Sequence, residues 1–225
     1  MAIWLPVWGS VMVRRGRAAQ EQAHIQFVPA FCSDNRTLLI SCWYSKLVSP
    51  MSNNPVFPVR TATLREAKII ADIYSVASAV VLKDLVSADA LASLCADYDL
   101  AFWRDAIEYG EPQVHVATED GRVVGFVGFD RSRDKGTAPT MGEIWFICVT
   151  PACWSKGVGL ALWDAAREGL IEEGCTHVTV WVPLGNDRAM RFHELAGFKR
   201  EMSSAKTVPL SDGRIEEIRL KRALT

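Results

Sequence analysis

The stretch from Glu143 to Leu160 constrains this chain more than any other part of it. Glu143-Ile144-Trp145-Phe146-Ile147-Cys148-Val149 is an apolar run of strand length, rich in β-branched and aromatic residues. Thr150-Pro151-Ala152-Cys153-Trp154-Ser155-Lys156-Gly157-Val158-Gly159-Leu160 then turns into a helix that keeps Val158, Leu162, Ala165, Ala166 and Leu170 on one face. A strand that enters a helix this way points successive backbone N–H groups outward at the positive end of the helix, where a pyrophosphate can sit. Gly157 and Gly159 let the backbone approach such a group, and Lys156 adds charge. A tight strand–helix turn with no ligand would use the same residues. Two other phosphate motifs fail: Lys156 precedes Gly157 instead of following a spaced glycine, and Leu162 stands where a dinucleotide fingerprint needs its third glycine.

The elements around this stretch alternate. Phe57 to Thr61 reads as a short strand, and Thr63-Leu64-Arg65-Glu66 as a capping box opening a helix. Ser87 caps a second helix with Leu91, Leu94 and Cys95, and a third carries Leu100, Trp103 and Ile107 up to Gly110. Val114–Thr118 and Arg122–Phe129 pair across Glu119-Asp120-Gly121, residues 130–141 are a polar loop, and Gly142–Val149 is a strand. A helix from about Gly157 to Glu173, a strand Thr176–Val182 and a helix from Asn186 to Gly197 follow. A hairpin across Ser211-Asp212-Gly213 closes the chain. The order predicts a mixed α/β (α+β) domain, one mixed central sheet flanked by helices.

Residues 1–55 do not share this regularity and read as an N-terminal extension, with 56–225 as the folded domain. Ser49-Pro50-Met51-Ser52-Asn53-Asn54-Pro55 has the composition of a linker, and Met51 reads as an alternative start that would leave residues 1–50 untranslated. The apolar run Ala2–Val13 precedes its arginines, the reverse of an export signal, and is too short to span a bilayer. No membrane association is expected. The six cysteines include no C-x-x-C pair and no metal-ligand spacing, so no metal and reduced cytoplasmic thiols are expected. A formal net charge of -1 argues against nucleic-acid binding through a broad basic surface.

A second informative segment is Asn186-Asp187-Arg188-Ala189-Met190-Arg191-Phe192-His193-Glu194-Leu195-Ala196-Gly197-Phe198, an N-capped amphipathic helix ended by glycine. The two segments together resemble the GNAT acetyltransferase family. Trp154 to Gly159 is similar to its R/Q-x-x-G-x-G/A turn, and Asn186 to Phe198 to its N-x-x-A-x-x-F-Y-E-x-x-G-F signature. Val59-Arg60-Thr61-Ala62-Thr63 and Arg122-Val123-Val124-Gly125-Phe126 also resemble family strands, so the likeness covers about residues 57–223. Two positions depart from the pattern. Trp154 stands where Arg or Gln is usual, and His193 where a tyrosine often serves as general acid.

The resemblance implies an N-acetyltransferase fold in which acetyl-CoA, as co-substrate, lies between two parallel strands that splay apart, here Glu143–Val149 and Thr176–Val182. It implies that backbone around Ile147, Cys148 and Val149 binds the pantetheine arm and polarises the thioester. It further implies that Trp154, Ser155, Lys156, Gly157, Val158, Gly159 and Leu160 hold the pyrophosphate and that Asn186 reaches the pantetheine. Transfer would be by direct attack of a primary amine of a small molecule or peptide. Glu143 is then the candidate base and His193 the candidate acid; a strand-end carboxylate and a packed histidine are the plainer readings of both. Acidic residues between Ser78 and Glu111 (Asp97, Asp99, Asp105, Glu108, Glu111) could attract a cationic acceptor, or could simply be solvated helix faces. Cys148 and Cys153 read as buried structural thiols. A non-catalytic acyl-CoA-binding module on the same fold is the alternative, and homodimers are common in the family.

Overall fold

The computed structural model describes residues 57–224. The N-terminal extension and its alternative start lie outside the described residues. Strand β1 is Val59–Thr61. Glu66 closes the expected capping box by accepting the Thr63 amide at 2.8 Å, although the turn it caps, Leu64–Glu66, is 3-10 before helix α1 begins at Ala67 and runs to Leu82. Ser87 caps α2 (Ala88–Asp97) and Asp99 caps α3 (Leu100–Tyr109), which Gly110 ends at φ 68°. Then follow β2 (Gln113–Glu119), β3 (Arg122–Arg131), β4 (Met141–Val149), α4 (Val158–Glu172), β5 (His177–Pro183), α5 (Asp187–Leu195), β6 (Lys199–Arg200), β7 (Lys206–Leu210) and β8 (Gly213–Ala223).

One mixed sheet runs in the order β1-β2-β3-β4-β5-β8-β6, with β7 paired to β8. The β4–β5 pair is parallel and the others are antiparallel. Its two faces bury different layers. Helices α4 and α5 cover one face, where Leu162, Ala166, Leu170 and Ala189 pack on Phe129, Ile144, Ile147 and Val180. Helices α1–α3 cover the other through an aromatic cluster of Tyr74, Tyr98, Trp103, Phe126 and Phe146. At Gly125 of β3 a Cβ would come within 2.8 Å of the Cys148 carbonyl and of Val149, so the β3–β4 pair can close there only around glycine.

The β4–β5 register runs only from Met141↔His177 to Ile144↔Val180. At that level β3 shifts register against β4, with Phe129 facing Ile144 and Gly128 facing Phe146, so Trp145 is an extra residue. A bulge of this kind bends and twists its strand. Beyond it Trp145–Val149 follow β3, while Trp181–Pro183 follow β8, and the two parallel strands part into a fork. No helix of the described residues is long and apolar enough to cross a membrane.

Candidate active site

The fork opens backbone groups that a closed sheet would pair. The Thr150 amide donates to the Val124 carbonyl on β3 at 2.9 Å. Strand backbone alternates edge by edge, so the N–H and C=O groups of Ile147 and Val149 face the edge that β5 has left. Cys148, expected beside them, turns its backbone toward β3 instead, and its thiol is buried under α1–α3. Period two forces this outcome. Burial pushes that thiol up to about 12, which leaves almost no thiolate near neutrality.

After β4 the chain makes a 3-10 turn, Pro151–Cys153, then passes through left-handed backbone at Ser155 (φ 62°) and Gly157 (φ 98°) into α4. The amides of Trp154 and Leu160 at the ends of the turn are engaged by the Pro151 and Gly157 carbonyls. Between these engaged ends lies the stretch from Ser155 to Gly159. Beside it is a cleft of about 640 Å³, lined on one side by Ser155, Gly157, Gly159 and Leu160 and on the other by Arg188, Arg191 and Phe192 of α5, with Asp187 at its edge. Lys156 is exposed and lies outside this lining.

Sequence reasoning missed the two arginines because it took α5 as a packing helix. Arg188 lies over the Trp154 ring, its guanidinium carbon 4.4 Å from the centroid, and Nη1 is 3.4 Å from the Ser155 hydroxyl. The Trp154 indole in turn donates to the Val149 carbonyl at 2.7 Å. The tryptophan standing where Arg or Gln is usual therefore carries an arginine on its face, brought from the next helix. The only sequence signal was two arginines one turn apart, at 188 and 191, in a helix whose first turn lines the same cleft as the β4–α4 turn.

On the α1–α3 face the fork is lined by charge. Glu143 is the β4 residue opposite Thr179 of β5, and alternation places Trp181, Arg219 and Glu217 on the same face. Glu143 is fully buried; Arg133 donates to it from its backbone amide at 2.9 Å and from its guanidinium at 2.8 Å. Arg133 also stacks on Trp145 at 3.6 Å. Burial pushes the Glu143 carboxyl above the usual carboxylate range, against the pull of Arg133. Burial likewise pushes Glu217 up to about 7, although Lys206 and Arg133 oppose it. Asp134, in the same β3–β4 loop as Arg133, accepts from Arg219 at 2.7 Å and from the Trp181 indole at 3.2 Å.

Loop 130–141, legible in sequence only as polar, thus supplies both groups that organise this wall. Of the acidic run on the helices, Asp99 caps α3, and Asp97, Asp105, Glu108 and Glu111 are exposed. The carboxylates at the fork come from β4 and β8.

Asn186 caps α5, its Oδ1 accepting the Ala189 amide at 3.1 Å. His193 lies on the other side of α5 from solvent, 1% exposed, with its ring edge-on to Phe192 and Phe198 and neither nitrogen hydrogen-bonded. Burial holds its imidazole down to about 3, so it is uncharged near neutrality, with a proton on one ring nitrogen only. Its position is that of a packed histidine in the core. Among the described residues no group of His, Cys, Asp or Glu could hold a metal ion.

Residues 82–198 match the model of the acetyltransferase (GNAT) family. The chain is similar to mycothiol acetyltransferase of Kocuria rhizophila, 34% identical over 35% of this chain and 26% of that protein, and to that of Paenarthrobacter aurescens, 26% identical over 48% and 34%. The matched stretch spans only about a quarter to a third of these relatives. Among solved structures the fold resembles the PaiA N-acetyltransferase of Thermoplasma acidophilum in complex with coenzyme A, with a TM-score of 0.61, 15% identity, and coverage of 74% of this chain and 99% of that one. It also resembles a phosphinothricin acetyltransferase of Sinorhizobium meliloti in complex with acetyl-CoA, at 0.58 and 17%, covering 75% and 88%.

Proposed function

The chain belongs to the GNAT acetyltransferase family, a family of acyltransferases, and on that premise we propose that it moves an acetyl group from acetyl-CoA to a primary amine of a small molecule or peptide by direct attack. One observation carries this reading. The parallel strands part at Ile144 and Val180, and the Ser155–Gly159 turn lies beside a cationic cleft at the end of the same β4 strand. That arrangement suits a ligand with a hydrogen-bonding arm and a polyphosphate end.

In this proposal the Ile147 and Val149 amides hold the pantetheine arm and polarise the thioester carbonyl. The Ser155–Gly159 amides and Arg188 hold the pyrophosphate. The amine attacks the acetyl carbonyl carbon, the C–S bond breaks, and the sulfur leaves as the CoA thiolate, which takes up the proton that the new amide nitrogen sheds, directly or through water. Glu143 takes the proton of the incoming ammonium, directly or through a water, and its raised affinity for protons suits that role. Arg133 fixes the carboxylate in place. Glu143→Gln keeps the shape and removes the base, so kcat should fall by about 10²–10⁴-fold while acetyl-CoA affinity stays the same. Unchanged kcat in steady-state assays would remove Glu143 from the chemistry.

The cofactor half is tested by calorimetric titration of the full chain with acetyl-CoA. Binding on the order of micromolar is expected. Gly157→Glu sets a carboxylate into the anion turn at a φ of 98° that side chains rarely adopt, and should abolish binding. Arg188→Ala should weaken it about tenfold to a hundredfold, the range of one charge-assisted contact. No binding by the well-folded parent chain would overturn the proposal. A second reading, a non-catalytic acyl-CoA-binding module, is favoured by one observation: the residue at the family's usual acid position, His193, is packed in the core. It predicts binding without turnover across an amine panel that includes the acceptor of the mycothiol acetyltransferases.

A further inference from the structure

Glu217 is a buried carboxylate without a hydrogen bond. Its side chain has no exposed surface, and neither oxygen has a hydrogen-bond partner among the described residues. The facing cation is Lys206, the residue opposite it on β7, whose ammonium stops 3.8 Å from Oε2. The same ammonium sits 3.4 Å from the centroid of the Trp181 ring. Trp181 is held by its indole bond to Asp134. A permanent ion pair would close to hydrogen-bonding distance, because a buried carboxylate left unbonded costs free energy. Here the anion is fixed and buried, while its cation rides on a long stem that is 41% exposed.

The place is as informative as the contacts. Trp181 is the first β5 residue beyond Val180, where the register with β4 ends. Glu217 faces Pro183 two residues further on, and both share a sheet face with Glu143. Lys206 belongs to β7, which pairs only with β8, on a hairpin whose turn meets the α1–α2 loop through Asp212 and Ser87. The ammonium therefore stands at the mouth of the fork on the acceptor side, on a strand that can move without unzipping the central sheet.

We propose that the Trp181 face and the Glu217 carboxylate form the acceptor's cation subsite, and that Lys206 occupies it as an internal stand-in until a cationic substrate displaces it. The inference rests on the acetyltransferase reading for the identity of the ligand as acceptor. It narrows the acceptor to a molecule bearing an aliphatic ammonium, because an aromatic face beside a carboxylate selects a compact cation over neutral amines and anions. An arriving ammonium can approach Glu217 more closely than Lys206 does and supply the hydrogen bond that the carboxylate lacks. Lys206, released, swings into solvent. The lysine thus lowers acceptor affinity and keeps the subsite closed to water in the empty protein.

The test uses n-butylammonium, with n-butanol as its neutral counterpart, titrated calorimetrically into the full chain without acetyl-CoA. The titrations are run at about pH 9, above the value of about 7 to which burial raises Glu217, so that its carboxyl is ionised while n-butylammonium stays charged. Lys206→Ala empties the subsite and should then bind n-butylammonium about tenfold more tightly than the parent. Lys206→Ala/Glu217→Gln should lose that binding, and n-butanol should bind neither protein. In the parent chain the Lys206 side-chain NMR signals, shifted by the Trp181 ring current, should move toward free-lysine values as n-butylammonium saturates it. Equal affinity of parent and Lys206→Ala, or binding that survives Glu217→Gln, or lysine signals that do not move, would overturn the proposal. Because no acyl donor is present, such a failure stays separate from failure of acetyl-CoA to bind.

Discussion

Acidification from about pH 7 to about pH 4.5 should strengthen a His193→Leu variant and weaken a Glu217→Gln variant, each by about 2–3 kcal/mol relative to the parent chain. The two groups are both buried and both lose their charged forms, but they stand on opposite sides of the proton balance. His193 titrates at 6.5 when exposed and is held down to about 3 in the fold by burial. Below 6.5 the unfolded chain binds a proton that the native state refuses, so parent stability falls as pH drops through that window toward 3. Leucine removes the penalty.

Glu217 runs the other way. Its carboxyl moves from 4.5 to about 7 through burial, despite the facing cations Lys206 and Arg133 and with Glu143 adding like charge. Between those values the native state holds a proton that the unfolded chain has released. Parent stability from this group is therefore full below 4.5 and is lost as pH rises through about 7. Glutamine cannot titrate, so its advantage at neutrality vanishes in acid. In the parent the two trends oppose each other, and the variants separate them. Urea unfolding of all three proteins at both pH values measures the difference directly. Parallel pH dependence of the parent and the His193 variant would mean that the imidazole is hydrated in solution.

Trp103→Ala should cost about 3–5 kcal/mol, the range for emptying a fully buried large aromatic site. Trp103 has no exposed surface and sits at the centre of the α1–α3 layer. Its ring centroid lies 4.8 Å from Phe126, 4.9 Å from Phe146 and 5.0 Å from Phe102, all tilted or edge-on, the arrangement aromatic quadrupoles favour. Its indole N–H donates to the Tyr98 carbonyl at 2.9 Å, so truncation also removes a buried hydrogen bond. The same cluster seats α3 on β3 and β4 where the fork opens, at Phe126 and Phe146, and activity should fall with stability. A loss below about 1.5 kcal/mol in denaturant melts would show that Tyr74, Tyr98 and Phe146 can close over the gap.

Much of this architecture was legible because it is local. The capping box at Thr63, the Gly110 stop, the Asp120-Gly121 turn and the alternation of β2 and β3 each follow from residues within a few positions of one another. The turn between β4 and α4 was equally legible, since a strand, two glycines and a helix must meet there whatever the rest of the chain does. Element ends differed by a residue or two, and the two-residue β6 went unseen because so short a strand has no periodicity of its own.

What the linear pattern lacked was everything made by elements meeting at a distance. Glu143 was visible as a carboxylate at a strand end, but its partner Arg133 lay in a loop that reads only as polar. Arg188 looked like a solvated helix residue until α5 came to rest against Trp154. Glu217 was one acid in an alternating strand, and nothing local says that β8 lies against β5 with that residue at the fork. His193 matched a motif position by spacing alone, while its burial was decided by how Phe192 and Phe198 pack around it. Local pattern was enough to set the elements, their order and the strand–turn–helix at Trp154–Leu160, because hydrogen bonding and hydrophobic periodicity act over a few residues. Only the tertiary structure decided which charges are buried, which are paired and which face the fork, because desolvation and Coulomb interactions depend on neighbours that the chain brings together from far apart.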